Sequence, residues 1–492
     1  MIIKSDQSEI QDYLKDASNT KGFCNAVFYP ENKSDIINVL KDSNENKTKV
    51  TVCGNRTGLT GASVPMGGIV LSTERMNKIL EINEDEKFAI VEPGVLLSDF
   101  LKEIKPKNLY YPPDPTELNC FIGGTVATNA SGSKTFKYGP TRDFILGMEI
   151  VLPTGENLKL ERGENFAKKN KLILKTDSGK TYKLNIPEMR SIQTKNAAGY
   201  FCKENMDAID LFIGSEGTLG IINKIRLKLL LPPEDTISCV IFFGDETTAL
   251  NFLEEAREAS YQNRKSKTDI WINALALEFF DERALRFLAK DFSAVPNNAK
   301  AAIWFEQECT TRSFDSILEA WNALMKTHNV SEETTWFAFS DVDKEKIKDF
   351  RHAISWKVNE YVTRNNFRKL GTDVAVPDKN FREFYFTLQS WAKQSNIDFV
   401  TYGHFGNSHI HLNFLPKNDA EFNESKNLYN KICEEAVRLD GTISAEHGVG
   451  KNKTALLKMM YGEKVIKEMF AIKKTLDPNL ILGYGNIFAA TS

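Results

Sequence analysis

The 492-residue sequence predicts an α+β protein built from more than one domain. The chain is too long for a single hydrophobic core and should divide into two or three domains. Glycine-rich loops between short strands dominate residues 1–230, and a composition shift at Leu231-Pro232-Pro233 marks a domain boundary. Beyond it, helical patterns alternate with strand-like runs, which favours a domain around a largely antiparallel sheet.

Apolar spacing and apolar runs give the individual elements. The predicted strands are Lys49–Cys53, Gly68–Ser72, Phe88–Val91, Ser238–Phe243, Ala301–Phe305, Thr334–Ala338 and Asp398–Tyr402. The predicted helices are Thr247–Glu258, Glu282–Lys290, Asp315–Thr327 and Lys464–Leu476, the last stopped by Asp477-Pro478. The Lys- and Asn-rich segment Arg162–Pro187 is interpreted as an exposed surface insertion.

Composition excludes several classes of protein. With 41% hydrophobic and 26% charged residues, the chain is an ordinary globular protein. Its net charge of -3 gives no reason to expect nucleic acid or an anionic membrane as a partner. No apolar run approaches the ~20 residues that span a bilayer, and the N-terminus lacks a secretory signal core. Seven scattered cysteines without a Cys-x-x-Cys pair indicate reduced thiols, a cytoplasmic location and no iron–sulfur cluster held by this chain.

Three glycine clusters, Gly54–Ser63, Phe121–Ser133 and Ile213–Ile222, are candidate ligand loops. Glycine leaves backbone N–H groups free to gather round an anion. None is a Rossmann Gly-x-Gly-x-x-Gly or a Walker loop, which argues against nicotinamide or nucleoside triphosphate bound in those ways. A lone cluster would more often be turns, but three clusters separated by strands favour one extended phosphate-bearing ligand.

Four of the six histidines fall in residues 403–411 and 444–448. His404 and His411 with Glu446 make an N,N,O set that suits Zn²⁺ or another divalent first-row ion and leaves positions open. His447 is then free to act as a base, since imidazole titrates near neutral pH. His409 and His411 would share one face of a strand, and His404 can fold back beside them. Any single histidine could be a packed core residue, but the set favours chemistry on an oxygen-bearing carbon.

Taken in order, these segments resemble the vanillyl-alcohol-oxidase-type flavoproteins. The resemblance rests on residues 54–61, 111–115 and 123–132. Residues 137–143, 195–200 and 214–220, with the Gly-His-Phe-Gly and Ser-Ala-Glu-His-Gly segments, are similar to one branch. That branch contains glycolate oxidases, D-lactate dehydrogenases and D-2-hydroxyglutarate dehydrogenases. The similarity runs from about Pro30 to Phe488.

The resemblance implies an α+β fold of the VAO/PCMH type. An FAD-binding domain of two α/β subdomains would span residues 1–232. A cap domain with an antiparallel sheet flanked by helices would span residues 233–440. Residues 441–492 would return to the first domain and bring Glu446 and His447 under the cap. The active site would then lie at the domain junction.

The resemblance also implies FAD, held without a covalent bond because neither of the first two loops carries His or Cys. Backbone donors of the first loop, rather than basic side chains, would face the pyrophosphate. The second loop and Asp114 would flank the ribityl chain and the isoalloxazine, and the Glu216–Ile221 turn would lie against the adenine. The implied FAD contacts are Gly54, Asn55, Thr57, Gly58, Leu59, Thr60, Asp114, Gly123, Gly124, Asn129, Gly132, Ser133, Tyr138, Gly139, Glu216, Gly217, Ile221 and Asn486.

The family's metal ligands correspond to His404, His411 and Glu446, and its general base corresponds to His447. Its substrate-carboxylate arginine corresponds to Arg351, whose planar fork suits two parallel hydrogen bonds. Ser355, one helical turn on, could add a donor, and the alternative for Arg351 is a surface ion pair with Asp349. The chain departs from the family at His409, where the family usually has an Asn that is thought to touch the substrate. His409 is therefore expected to contact the substrate, and it could also compete as a metal ligand. Near the C-terminus, Gly483–Asn486 replaces the common Asn-Pro-Gly-Lys.

The implied reaction is oxidation of a D-2-hydroxy acid to the 2-oxo acid, with hydride transfer to flavin N5. The 2-hydroxyglutarate enzymes carry a Lys near Asp373 for a second carboxylate. Here that position is Gly371 and the nearest cation is Lys369, which favours a monocarboxylate such as D-lactate over D-2-hydroxyglutarate, with glycolate also open. The alternatives are a flavin transferase without net redox, like alkyl-dihydroxyacetonephosphate synthase, and a nonenzymatic flavin carrier or assembly subunit of a larger oxidase.

The expected partners follow from that reaction. Electrons would pass to a quinone, an electron-transferring flavoprotein, a cytochrome or an iron–sulfur protein. We expect a cytoplasmic protein without a transmembrane segment, with peripheral attachment to a membrane and a homodimer left open.

Overall fold

The computed structural model describes residues 1–266, 271–330 and 332–490. Short apolar runs near the N-terminus form a first sheet with strand order β1-β2-β4-β3. Strands β2, β4 and β3 run parallel, and β1 is antiparallel to β2. Helix α1 is capped by Asn32, which accepts from the backbone N–H of Asp35, and buries its apolar face on this sheet. The bounds are β1 Ile2–Lys4, β2 Ala26–Tyr29, α1 Lys33–Glu45, β3 Val50–Cys53 and β4 Ile69–Ser72.

A second, antiparallel sheet follows with strand order β5-β6-β11-β7-β8, and β9 and β10 form a separate hairpin. The strands are β5 Ile79–Asn83, β6 Phe88–Val91, β7 Ile145–Val151, β8 Asn157–Glu161, β9 Lys171–Lys175, β10 Thr181–Asn185 and β11 Ile221–Lys228. The helices of this part are α2 Leu97–Ile104, α3 Ile122–Thr128, α4 Thr135–Tyr138 and α5 Ile209–Phe212. The second and third glycine clusters therefore lie at α3 and at the entry to β11.

The segment predicted as an exposed insertion is a β-hairpin with one buried face. Leu172 and Leu174 on β9 and Tyr182 and Leu184 on β10 are buried, while the residues between them are exposed. This period-two alternation is the pattern of a half-buried strand. The prediction for Arg162–Pro187 is therefore wrong for one face of the hairpin, which the abundance of Lys and Asn on the other face concealed.

The third sheet is antiparallel in every described pairing, with strand order β15-β12-β14-β13-β17-β18-β16. This confirms the predicted antiparallel sheet flanked by helices. The strands are β12 Asp235–Phe243, β13 Ala276–Asp281, β14 Ala301–Cys309, β15 Thr335–Phe337, β16 Val374–Ala375, β17 Phe399–Gly403 and β18 His409–Phe414. The helices are α6 Glu246–Ser266, α7 Glu282–Leu288, α8 Phe314–Thr327, α9 Asp341–Arg364, α10 Asp378–Gln394 and α11 Asp419–Arg438.

The C-terminal segment returns to the first sheet. Helix α12, Thr454–Leu476, is broken at Gly462, whose φ of 79° is non-helical, and begins before the predicted Lys464. After it, the backbone N–H of Val50 donates to the Ile481 carbonyl at 2.7 Å, and that of Gly483 donates to the Val50 carbonyl at 2.9 Å. This segment therefore extends the sheet beside β3, while the exact domain boundaries stay a prediction. No helix within the described ranges combines the length and apolar character that crossing a bilayer requires.

Candidate active site

One cavity of about 950 Å³ lies between the glycine-rich loops and the C-terminal half of the chain. The predicted site residues that line it are Gly54, Asn55, Thr57, Gly58, Leu59, Gly123, Gly124, Glu216, Gly217, Arg351, Ser355, His411, Glu446 and His447. The structure thus brings the predicted ligand loops and the predicted catalytic residues to the same space.

The other predicted residues are not among those that line the cavity. They are Thr60, Asp114, Asn129, Gly132, Ser133, Tyr138, Gly139, Ile221, Asn486, His404 and His409. Several brace the loops: the Ser133 hydroxyl donates to the Asp114 carboxylate at 2.9 Å, and Asn129 Oδ1 accepts from the backbone N–H of Arg142 at 3.0 Å. Their role as direct cofactor contacts stays a prediction.

Two imidazoles and one carboxylate oxygen converge at the wall of this cavity. His404 precedes a 3-10 turn at Phe405–Asn407, and His411 lies on β18, so the predicted fold-back is confirmed. Nε2 of each ring lies 3.3 Å from Oε1 of Glu446, which arrives on the loop before α12. Two ligands of a tetrahedral ion bound at about 2.0–2.1 Å lie about 3.3–3.4 Å apart. These three side chains could therefore hold Zn²⁺.

The two oxygens of Glu446 face different partners. Oε2 accepts from the Lys195 ammonium at 2.7 Å and from the Ser131 hydroxyl at 3.2 Å. Burial opposes ionisation, but Lys195 and His404 outweigh it and hold the pKa of Glu446 well below its usual range. The carboxylate is thus charged, with Oε1 left to the imidazoles. Sequence reasoning missed Lys195 as its partner because 251 positions separate the two residues.

Further contacts orient the two imidazoles. His404 Nδ1 lies 2.7 Å from Glu278 Oε1, and His411 Nδ1 lies 3.1 Å from the Thr372 carbonyl. Each ring therefore commits Nδ1 to an acceptor and turns Nε2 toward Glu446, the arrangement that fixes metal-binding imidazoles. Burial lowers the pKa of His411 and so favours the neutral ring that binds metals.

Asp373 joins the two parts of the site and was not predicted as a functional residue. It is fully buried and accepts from the Ser444 hydroxyl at 2.7 Å, the Lys453 ammonium at 2.9 Å and the backbone N–H of Glu446 and His447 at 3.1 and 3.0 Å. Burial raises the pKa of Asp373, but its neighbours His447 and Lys453 outweigh burial and hold it well below the usual range. No local signal reveals this residue, because most of its partners come from residues 444–453.

His447 lines the cavity between two carboxylates. Its Nδ1 lies 3.4 Å from Asp373 Oδ2, and its Nε2 lies 3.5 Å from Glu446 Oε1. Its side chain is 22% exposed, against 9% for His411. Of the two, His447 is therefore the imidazole that a molecule in the cavity can reach more easily.

Arg351 lies on α9 and points into the cavity, but its partner differs from the predicted Asp349. Nε and Nη2 both donate to Glu278 Oε2, at 3.1 and 2.8 Å, and Nη1 donates to the Thr116 hydroxyl at 3.1 Å. Glu278 therefore occupies the Nε/Nη2 edge of the guanidinium, which is one of its two edges for paired hydrogen bonds. Ser355 also lines the cavity and donates to the Tyr402 hydroxyl at 3.3 Å.

Three polar residues that line the cavity lie outside the predicted contact set. Neither atom of the Asn413 carboxamide has a hydrogen-bond partner among the described residues, and Gly371 packs against it. Lys369 donates to Asn359 at 2.9 Å, and burial lowers its pKa to about 8. The third residue, Lys451, lies beside the first glycine loop.

The Lys451 ammonium donates to the carbonyls of Gly61 and Ala62 at 3.2 and 3.3 Å and to Asn486 at 2.6 Å. Burial lowers its pKa to about 8. The sequence predicted that backbone donors, without basic side chains, serve the first glycine loop. The structure places a lysine there, delivered by the C-terminal segment.

Comparison with known proteins places this geometry in a family. Residues 24–161 match the family described as FAD binding domain, and residues 235–487 match FAD linked oxidases, C-terminal domain. The second match alone covers more than half of the chain, so the protein belongs to the FAD-linked oxidases. The predicted family and its FAD-binding domain are confirmed.

Curated relatives match along nearly the whole chain. Glycolate oxidase subunit GlcD of Bacillus subtilis is 28% identical over 476 residues, covering 94% of this chain and 89% of that protein. D-lactate dehydrogenase of Anaerostipes hadrus is 29% identical over 470 residues, covering 92% and 87%. D-2-hydroxyglutarate dehydrogenase of Stutzerimonas stutzeri is 28% identical over 504 residues, covering 99% and 96%.

A solved structure of alkyldihydroxyacetonephosphate synthase has the same fold, with a TM-score of 0.63, 15% identity and coverage of 98% of this chain and 82% of that one. At this identity the likeness concerns the fold alone.

Proposed function

We propose that this protein is an FAD- and metal-dependent dehydrogenase that oxidises a D-2-hydroxy acid to the 2-oxo acid. The observation that carries the proposal is that the glycine loops, His411, Glu446 and His447 line one cavity, with His404 beside Glu446. The names of the relatives, which refer to glycolate, D-lactate and D-2-hydroxyglutarate, support the substrate class.

The glycine loops fit a flat, extended ligand. A Cβ added at Gly124 would meet no atom within 4 Å, and one added at Gly54 would lie 4.0 Å from the Gly124 backbone. Side chains at these two cavity-lining positions would therefore fill space that glycine leaves open. The first loop, Gly124 and Glu216–Gly217 would hold FAD, with Lys451 supplying a positive charge near its phosphates.

When bound, FAD supplies a hydride acceptor at N5, and the cation supplies Lewis acidity toward the substrate hydroxyl. The chain's own residues then divide the work. Arg351 attracts the substrate carboxylate, and the free Asn413 carboxamide and Ser355 add hydrogen bonds that orient it. His447 Nε2 removes the hydroxyl proton, while Asp373 holds the ring from the Nδ1 side.

The cavity wall bears on which 2-hydroxy acid is used. This chain has Gly371 at the position where the 2-hydroxyglutarate enzymes carry a lysine, and the absence of that lysine favours a D-lactate-like monocarboxylate as substrate. Lys369 nevertheless lines the cavity together with Arg368 and Lys426, so a second anionic group would find cations there. We rank D-lactate first and D-2-hydroxyglutarate second, with glycolate as a third candidate.

A panel of 2-hydroxy acids tests the proposal. We expect anaerobic addition of D-lactate or D-2-hydroxyglutarate to bleach the flavin absorbance of the FAD-loaded protein, while the L-enantiomers leave it yellow. Chelator-treated protein serves as the control for the cation. If no hydroxy acid reduces the flavin, the dehydrogenase proposal fails and a synthase-like reaction without net redox becomes the better interpretation. If a hydroxy acid does reduce the flavin, stopped-flow measurement of its reoxidation by quinone, flavoprotein, cytochrome or iron–sulfur acceptors would identify the electron acceptor.

The glycine fit predicts a loss of cofactor that is independent of folding. We expect Gly124→Val to lower FAD affinity by about tenfold or more, since overfilling a packed space costs about 1–3 kcal/mol. The melting temperature of the FAD-free protein should not fall, because a Cβ added at this position meets no protein atom within 4 Å.

The matched control is Gly244→Val, at an exposed position outside the cavity where an added Cβ also meets nothing within 4 Å. FAD retention in the two variants is compared by measuring flavin absorbance after desalting. Wild-type FAD retention in Gly124→Val would show that the ligand does not pass this point.

A further inference from the structure

A third imidazole, His409, lies beside the proposed cation ligands and has no role in the reaction described above. It opens β18 and is fully buried. It is absent from the cavity lining within the described part of the chain, so a substrate in that cavity would not touch it. Ligand atoms of His404, His409, His411 and Glu446, in contrast, all lie within 4.8 Å of one another. His409 therefore belongs to the ligand cluster and not to the substrate wall.

The hydrogen bonds of His409 settle which nitrogen is available. Nε2 lies 3.0 Å from Asp373 Oδ1. The Asp373 carboxylate also accepts from Lys453 and from the backbone N–H of Glu446 and His447, so it acts as an acceptor throughout. Nε2 consequently carries the hydrogen and donates it, and the lone pair of the neutral ring is on Nδ1.

That lone pair has no partner. His409 Nδ1 is buried and makes no hydrogen bond with any residue that the structure describes. A buried nitrogen left unpaired is rare in folded proteins, and a bound cation would supply the missing partner. The two neighbouring rings have the same arrangement: in His404 and His411, Nδ1 contacts an acceptor and Nε2 faces Glu446.

We propose that His409 binds the same divalent cation through Nδ1, so that three imidazoles and one carboxylate hold the ion. This inference rests on the proposed function, in which His404, His411 and Glu446 are the other ligands. Four protein ligands exceed the three of ordinary catalytic zinc sites, and expansion to five ligands would still leave a position for the substrate hydroxyl. The chain should therefore retain its cation more tightly than a protein with asparagine at this position.

The test uses the full-length, FAD-loaded protein, stripped of metal and titrated with Zn²⁺ or Co²⁺. We expect His409→Asn to weaken Zn²⁺ binding at least about 100-fold. Loss of a residue that only hydrogen-bonds a metal ligand weakens binding by about 10–100-fold, so a larger loss indicates a direct ligand. The visible Co²⁺ absorption should lose the intensity typical of four-coordinate ions. FAD content should not change. His328→Asn, which alters a histidine paired with Glu255 elsewhere in the chain, is the matched control.

A folded His409→Asn variant with wild-type Zn²⁺ affinity and an unchanged Co²⁺ spectrum would overturn the inference. Where that variant fails to fold, X-ray absorption of the Zn²⁺-loaded wild-type protein counts the imidazole ligands directly. A count of three imidazole ligands supports the inference. A count of two would show that His409 does not bind the cation, while the proposed function would stand. A wild-type protein that binds no cation would overturn both.

Discussion

Replacing His447 with alanine is expected to lower turnover by about 10²–10⁴-fold, the usual contribution of a general base. His447 is the partly exposed imidazole at the cavity wall, and Asp373 lies on its Nδ1 side at 3.4 Å, which leaves Nε2 for the substrate hydroxyl. Steady-state dye reduction gives the turnover number. FAD and metal contents, measured on the same samples, should equal those of the wild type.

The cofactor measurements separate a lost base from a damaged site. Because the backbone N–H of His447 holds Asp373, and this contact survives in the alanine variant, the loop should keep its place. Added imidazole should restore part of the turnover by filling the vacated space. His328→Ala, which changes a residue outside the cavity lining, should behave as the wild type. Full turnover in His447→Ala would remove this residue from the mechanism.

Arg351→Met is expected to affect both stability and catalysis. Arg351 and Glu278 are 4% and 3% exposed and form a buried ion pair, and removing one partner of such a pair costs about 3–5 kcal/mol. Loss of one charge-assisted bond to the substrate, worth about 1.5–3 kcal/mol, should lower kcat/KM by about 10–100-fold in addition. Denaturant unfolding and substrate titration measure the two effects separately.

A double variant distinguishes these roles. Arg351→Met with Glu278→Gln leaves no stranded charge, so most of the unfolding free energy should return. The kcat/KM should stay low, because Arg351, the cation assigned to the substrate carboxylate, is still missing. Recovery of kcat/KM together with stability would mean that Arg351 only balances Glu278, and the carboxylate must then be bound elsewhere, with Lys369 the first candidate.

Local signals in the sequence were sufficient for the ligand loops and for much of the third sheet. Glycine clusters beside strands predicted the loops that line the cavity, and the alternation of His409 and His411 predicted one face of β18. Helix α9 was missed although its signals are present. Ser340 caps it, and Ile347, Phe350 and Ile354 recur at helical spacing, but dense charge between them obscured the pattern.

Pairings between distant segments could not be predicted in the same way. Asp373 accepts from donors about 70–80 positions later in the chain. Lys195 pairs with Glu446, and Glu278 pairs with both Arg351 and His404. No local sequence pattern specifies such contacts. The ion pair of Arg351 with Glu278 was not predicted for this reason, because Arg351 lies on α9 and Glu278 on the distant strand β13. The lysine at the first glycine loop escaped prediction because it arrives from residue 451.

The docking of the C-terminal segment has a consequence for biosynthesis. Backbone N–H groups of Val449 and Gly450 donate to the Glu216 carboxylate at 2.7 and 2.6 Å, on a loop that is synthesised more than 200 residues earlier. A nascent chain halted before these residues can form its early sheets but lacks this contact with the loops proposed to bind FAD. We therefore expect cofactor loading to follow chain release, as one of the last events in the maturation of the enzyme.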